Sequence, residues 1–173
     1  STFPQRWQHK LAVVHEGVPE AMLELPRLQQ LTIADGVTLG QDVPVVTFIS
    51  RNLEPMRGFP TFMRALPALQ ARDPRVQVLI VGDPGRSSYS RPSTHPDGYW
   101  GEMLALLGNR LDLNRIHRLG SLAYDQYLAV LQISAVRVHF TYPYAMSWSL
   151  LEAMACGAVV LGSANVPVDE VIR

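Results

Sequence analysis

Apolar residues along this chain gather in short runs separated by stretches of helical period. Residues 45–49 (Val-Val-Thr-Phe-Ile), 76–81 (Val-Gln-Val-Leu-Ile-Val), 136–140 and 158–161 are each long enough for one strand, and 115–119 makes a shorter one. These runs are mostly continuous rather than alternating, which predicts strands covered on both faces. Between them, residues 61–71, 99–107 and 124–132 carry apolar side chains at helical spacing. Phe62, Leu66 and Leu69 share one face of the first of these helices, and Pro67 is expected to kink it or reset its start. A further helix begins near Ser147 and stops at Gly157, and another starts at Pro167, with Asp169 and Glu170 suited to its first turn. Strands that alternate with helices in this way predict an α/β fold built on a parallel sheet. Upstream, the pattern is weaker. Residues 1–9 read as a loop or linker, 10–14 as a short strand, and 20–29 as holding a short helix. Residues 31–33 and 37–39 flank Asp35-Gly36 and predict a small hairpin.

The chemistry sits in the loops that follow the strands. Ser50 to Phe59 joins the first strong strand to its helix and carries Arg51 and Arg57, whose forked, permanently charged guanidinium groups suit a diphosphate. Taken alone, they read rather as two solvated loop arginines, and it is Glu152 and the strand order that favour the diphosphate. The 76–81 run ends in Gly82-Asp83-Pro84-Gly85, where a glycine lets a ligand approach the backbone. Residues 86–98 are rich in Ser, Pro and Arg and form a long loop at the same edge, from which Arg86, Arg91 and His95 could reach a phosphate or an acceptor; the plain reading is a solvated connection. His117 is expected at a strand edge rather than in catalysis. The stretch 142–157 is the most informative. Ser147 or Ser149 can cap its helix, and Glu152 lies three residues after Ser149, as a capping box requires. Leu151, Met154, Ala155 and Ala158 are expected on the buried face, with Trp148, Ser149, Glu152 and Cys156 on another. The helix N-terminus should present free N–H groups to an anion, and Glu152, one turn in, can accept hydrogen bonds from a pair of hydroxyls such as a ribose diol.

Leu-Leu-Glu-Ala-Met-Ala-Cys-Gly at 150–157 resembles the signature of the retaining GT-B glycosyltransferases of glycosyltransferase family 4, in which two Glu are separated by seven residues. Glu152 matches the second; the first falls on Tyr144. The Arg51–Arg57 loop, Gly82-Asp83, Leu119-Gly120-Ser121-Leu122 and the Pro-x-x-Glu-Val-Ile ending extend the resemblance over about 45–172, with a weaker His-x-Gly-Val element at His15. Arg57 stands where the family usually has Lys. The resemblance implies a Rossmann-like parallel sheet with helices on both faces, one half of a GT-B fold. It implies residues 1–18 as a crossover from an absent N-terminal domain and 19–173 as a nucleotide-sugar donor domain cut short at its C-terminus. It further implies Arg51 and Arg57 on the donor diphosphate, Glu152 on the ribose, and Gly82 and Asp83 near the donor. Leu119, Gly120 and Leu122 would lie around the base, and the backbone of Ser147, Trp148, Ser149 and Leu150 on the distal phosphate. Tyr144 could hydrogen-bond a sugar hydroxyl but supplies no carboxylate. The partners implied are a nucleotide sugar, an acceptor glycan, lipid or small molecule, and the absent domain, with transfer to an acceptor hydroxyl, retention of configuration, and no turnover by the domain alone.

Composition narrows the field further. With 47% apolar and 17% charged residues and a formal net charge of zero, the chain is globular and carries no basic excess for nucleic acid. Its single Cys156, placed on an apolar helix, reads as a structural thiol. No Asp-x-Asp motif is present, and neither metal nor cofactor is expected. No apolar run has the length of a membrane span and residues 1–10 do not read as a signal peptide, so a cytoplasmic protein is expected, free or peripheral at the inner membrane. Two other classes remain open: a non-catalytic nucleotide-sugar-binding or interaction module, and another Rossmann-like protein such as a dehydrogenase, which the lack of a Gly-x-Gly-x-x-Gly fingerprint disfavours.

Overall fold

A computed structural model describes residues 3–12, 14–143 and 146–172. After a 3-10 turn at Gln5–Lys10 the chain forms α1 (Glu20–Leu23), β1 (Gln30–Thr32), β2 (Thr38–Gly40), β3 (Val45–Asn52), α2 (Phe59–Arg72), β4 (Gln77–Asp83) and α3 (Gly98–Leu107). It continues with β5 (Ile116–Gly120), α4 (Tyr124–Ile133), β6 (Val136–His139), α5 (Trp148–Ala155), β7 (Val159–Gly162) and α6 (Val166–Asp169). Strands β3 to β7 make one parallel sheet in the order β5-β4-β3-β6-β7. The two short strands pair as a separate antiparallel hairpin, with Leu31 opposite Leu39 around the Asp35-Gly36 turn.

The strand β3 holds the centre, and its alternating side chains divide the core. Val46 and Phe48 join Val78, Ile80, Ile116 and Val138 on one face, under Phe59, Phe62, Met63 and Leu66 of α2 and Met103 and Leu107 of α3. Val45 and Ile49 join Leu79 and Val81 on the other, under Val130, Leu131 and Ile133 of α4 and Ala153 of α5. The hairpin closes this second face with Ile33 and Leu39. It is tied to the sheet by His117, whose ring nitrogens lie 2.8 Å from the Asp35 carboxylate and 2.9 Å from the Gln77 amide oxygen. His117 is therefore a buried bridge on an outer strand.

Several expectations are corrected. Among the described residues of 10–14 there is no strand: Lys10 ends the 3-10 turn and the following residues are exposed and pair with nothing. The 20–29 helix is a single turn, since Pro26 cannot continue it. Helix α2 begins two residues early and runs through Pro67 without restarting there, the proline removing one backbone donor. The buried face of α5 is Leu150 and Ala153, while Met154 is exposed and Leu151 half-buried. The helix packs on the Val160 face of the outer strand β7, and Met154 is left exposed at that margin of the sheet. On the opposite face of β7 Val159 is 66% exposed, and the buried strand expected at 158–161 is an outer strand with solvent on one face. Gly157 does terminate α5. At φ 81° it lets its own N–H reach Met154 and the Ala158 N–H reach Ala153. No helix among the described residues is long and apolar enough to cross a membrane.

Candidate functional site

The chain leaves β3 outward through β4 and β5, then returns to lay β6 on the other flank of β3. At such a reversal the loops after the two central strands diverge and open a crevice beyond their carboxyl ends. A cleft of about 340 Å³ occupies that position. Its floor is Phe48–Ser50 of β3 and Val138–Phe140 at the end of β6; Arg51, Arg57 and Tyr89 form one wall, and Met146, Ser147, Trp148 and Ser149 the other. The two arginines thus converge with the start of α5, as the sequence predicted.

Their loop is held by a residue that sequence reasoning passed over. Glu54 is fully buried, yet its Oε2 accepts hydrogen bonds from the Ser87 hydroxyl at 2.6 Å and from the backbone N–H groups of Ser88, Tyr89 and Ser90 at 3.0, 3.0 and 2.9 Å. Burial alone would raise its pKa, but these four donors outweigh it and hold the carboxyl below its usual value. Met56 N–H donates to the Ser90 hydroxyl at 2.9 Å, stitching the same two loops again. The latch fixes Tyr89, whose ring lies 5.0 Å from the Arg57 guanidinium carbon. Gly58, at φ 73°, turns the chain into α2 where a Cβ would strike that of Phe140 at 2.2 Å.

On the opposite wall Ser147 is the N-cap of α5, but neither serine caps it by side chain; their hydroxyls lie 2.9 Å apart. The capping box therefore does not form. Glu152 turns away from the helix start and accepts the Tyr124 hydroxyl at 2.8 Å and the Tyr127 hydroxyl at 2.6 Å. Burial, then the carboxylate, push the Tyr124 pKa up to about 12 and raise that of Tyr127 further. Glu152 also raises the half-buried Cys156 thiol, after burial. Leu150 is a core side chain whose N–H is taken by the Ser147 carbonyl, so only earlier N–H groups of this helix can face a ligand. Trp148 is 65% exposed and its indole N–H donates to the Glu16 carboxylate, while His15 pairs with Glu170 at 2.8 Å. The 15–16 segment is thereby docked on the outer half of α5 and the residues after α6.

Other expected site residues lie apart from the cleft. Gly82, at φ 148°, is required because a Cβ would meet the Ser50 carbonyl at 2.5 Å and Leu53, so it also serves packing against β3. The Asp83 carboxylate accepts the Gly85 N–H at 2.8 Å and lies 3.6 Å from Arg86. Leu119 and Leu122 line a second cavity of about 430 Å³ between the hairpin and α4. Gly120, at φ 67° with open space where a Cβ would stand, keeps the backbone accessible at the end of β5. The carbonyl of Arg91 accepts the Tyr99 hydroxyl, and His95 packs on Gly101, so the 86–98 loop is folded onto α3. Tyr144 lies outside the described residues. Among the described residues no group of three His, Cys, Asp or Glu could hold a metal ion.

Two further groups under the cleft went unread. His139 lines it, and burial first, then Arg137 and Arg57, push its pKa down to about 4, so it is neutral at pH 7. Arg137 itself is fully buried. The signal was present in Val136-Arg137-Val138-His139, where two basic residues interrupt a strand expected to be buried.

Residues 43–173 match the family described as Glycosyl transferases group 1. A comparison with curated proteins gives no match. Among solved structures, the C-terminal domain of a glycosyl transferase group 1 family protein (LpcC) from Francisella tularensis is similar with a TM-score of 0.61 at 17% identity, over 84% of this chain and 70% of that one. Sucrose-phosphate synthase from Thermosynechococcus elongatus gives a TM-score of 0.55 at 29% identity, over 73% of this chain and 29% of that one. The E. coli trehalose-6-phosphate structure bound with UDP-2-fluoro glucose gives 0.55 at 13% identity, over 75% and 31%. This chain spans less than a third of the length of those last two. With its five-stranded parallel sheet covered by helices and forming the Rossmann-like half of a GT-B fold, the chain belongs to the group 1 glycosyl transferases.

Proposed function

We propose that this chain is the donor-binding domain of a glycosyltransferase of family 4, and that it binds a nucleoside-diphosphate sugar for transfer, with retention, to an acceptor hydroxyl. The observation that carries the reading is the convergence of Arg51, Arg57 and the start of α5 in one crevice beyond the carboxyl ends of β3 and β6. As the glycosidic bond breaks, charge grows on the departing diphosphate. Two fixed guanidinium groups and backbone N–H groups oriented beforehand stabilise that charge without reorganising. No metal or cofactor is required for this. Residues 19–173 would form the donor domain and 1–18 the crossover from an acceptor domain; transfer takes place between the two, so the domain alone binds and does not turn over.

In this reading the ribose diol reaches Glu152 by displacing the Tyr124 hydroxyl, the more exposed of its two partners, while Tyr127 keeps the carboxylate oriented. The engagement of Glu152 by both tyrosines, with Tyr144 in place of a second Glu, favours one alternative: a module that binds a nucleotide sugar or a partner without catalysis. Calorimetric titration with UDP, GDP and ADP decides the first point. One nucleotide should bind saturably, and Glu152→Ala should weaken it roughly tenfold through the lost charged hydrogen bonds while leaving inorganic pyrophosphate unaffected. Absence of binding by folded protein to all three would sink the reading. Transfer activity of the domain joined to an acceptor domain, with Tyr144 in place, separates enzyme from module.

A further inference from the structure

Arg137 stands in the middle of β6, opposite Thr47 of β3 and Val160 of β7. Val136 and Val138 face the other side, so the arginine points under α4 and α5, where it is 0% exposed. Its guanidinium reaches forward toward the carboxyl edge. Nη2 donates to the Ile49 carbonyl at 2.5 Å, Nη1 donates to the Val138 carbonyl, and Nε has no partner. Ile49 and Val138 are both floor residues of the cleft. A permanent positive charge therefore lies one layer of backbone beneath the crevice that holds Arg51 and Arg57.

Among the described residues no carboxylate lies within ion-pair distance of Arg137. Glu152 bonds instead to Tyr124 and Tyr127. Burying a guanidinium without a counter-charge is costly, and an apolar side chain of similar volume would ordinarily be the more stable choice. Two carbonyl dipoles offset part of that cost. The rest is a standing attraction for an anion directly above.

We infer that Arg137 is a buried positioning charge for the donor: it acts through the floor of the cleft, without touching the ligand, and the diphosphate is its counter-ion. The inference rests on the donor reading proposed above. In a low-dielectric floor the field of one charge over this depth is worth about tenfold in anion affinity. It adds to the two surface arginines and, unlike theirs, is poorly screened by salt. Together with burial, which acts first, it and Arg57 keep His139, on the same strand, in its neutral form at the cleft floor.

The test titrates wild type, Arg137→Met and Arg137→Lys with inorganic pyrophosphate and with UDP, GDP and ADP. Arg137→Met should bind pyrophosphate and the preferred nucleotide about tenfold more weakly, and Arg137→Lys, which keeps the charge and loses the fork, should recover most of the loss. A merely structural arginine would be missed equally in both variants. Equal affinity of wild type and Arg137→Met overturns the inference and leaves the donor reading intact. Arg137-dependent binding of pyrophosphate with no nucleotide bound upholds the inference and overturns the donor reading. Folded wild type that binds neither overturns both. Where the variants do not fold, the wild-type protein decides: the Arg137 Nε–H resonance should shift as pyrophosphate saturates the site, and an unmoved resonance overturns the inference.

Discussion

Arg51→Ala and Arg57→Ala are each expected to weaken nucleoside-diphosphate binding by ten- to a hundredfold, and together to abolish it at millimolar ligand. Each guanidinium supplies charge-assisted hydrogen bonds worth roughly 1.5–3 kcal/mol to a phosphate oxygen. The two differ in their surroundings. Arg51 is exposed at the end of β3, so its contribution should fall as salt is added. Arg57 is half-buried against Tyr89, which holds it in place before the ligand arrives. Its loss should therefore be the larger of the two and the less sensitive to salt. Calorimetry at low and physiological ionic strength reads both effects. Unchanged affinity in the double variant would mean that the cleft is not the diphosphate site.

The second large effect is on stability. Glu54→Ala should destabilise the domain by about 3–5 kcal/mol, because a hydroxyl and three backbone N–H groups would lose one shared buried acceptor. Urea denaturation measures it, and a midpoint shift worth less than about 1 kcal/mol would refute the latch. The pH dependence has a definite sign. A carboxyl whose pKa is depressed by folding contributes stability that is complete above its ordinary value of 4.5 and disappears as pH falls through the lower folded value. Wild type should lose stability on acidification through that window, and Glu54→Gln should lose less. Nucleotide affinity should fall in Glu54→Ala as well, since the latch holds Tyr89 and the Arg57 loop.

The parts of this fold that could be read in the sequence are those in which one physical rule acts alone. Strand β3 is apolar on both faces because both are covered, and the hairpin follows from Asp35-Gly36. The convergence of Arg51, Arg57 and Ser147 follows from loop positions after strands in a parallel sheet. Failures occur where tertiary contact overrides a local signal. Glu152 fits a capping box by spacing, yet two tyrosines from another helix compete for it and win. Glu54 lies in an exposed-looking loop, and its burial depends on a second loop more than thirty residues away, which no local pattern encodes. Arg137 was legible in principle, as a charge inside an apolar strand.

The strand order has a consequence for how the domain comes apart. Strand β3 meets β4 after a single intervening helix, but it meets β6 only when a segment carrying two more helices and two more strands has been closed into a loop, Val46 pairing with Val78 on one side and Val136 on the other. Closing that longer loop costs more chain entropy than closing the first, so the β3–β6 seam belongs among the late contacts in folding. The cleft straddles this seam, with its arginines on one bank and α5 on the other. A nucleotide bound there would be a clamp across a late-forming joint, and contacts made after the folding barrier retard unfolding rather than accelerate folding. The ligand would then set the lifetime of the native domain as well as occupy its site.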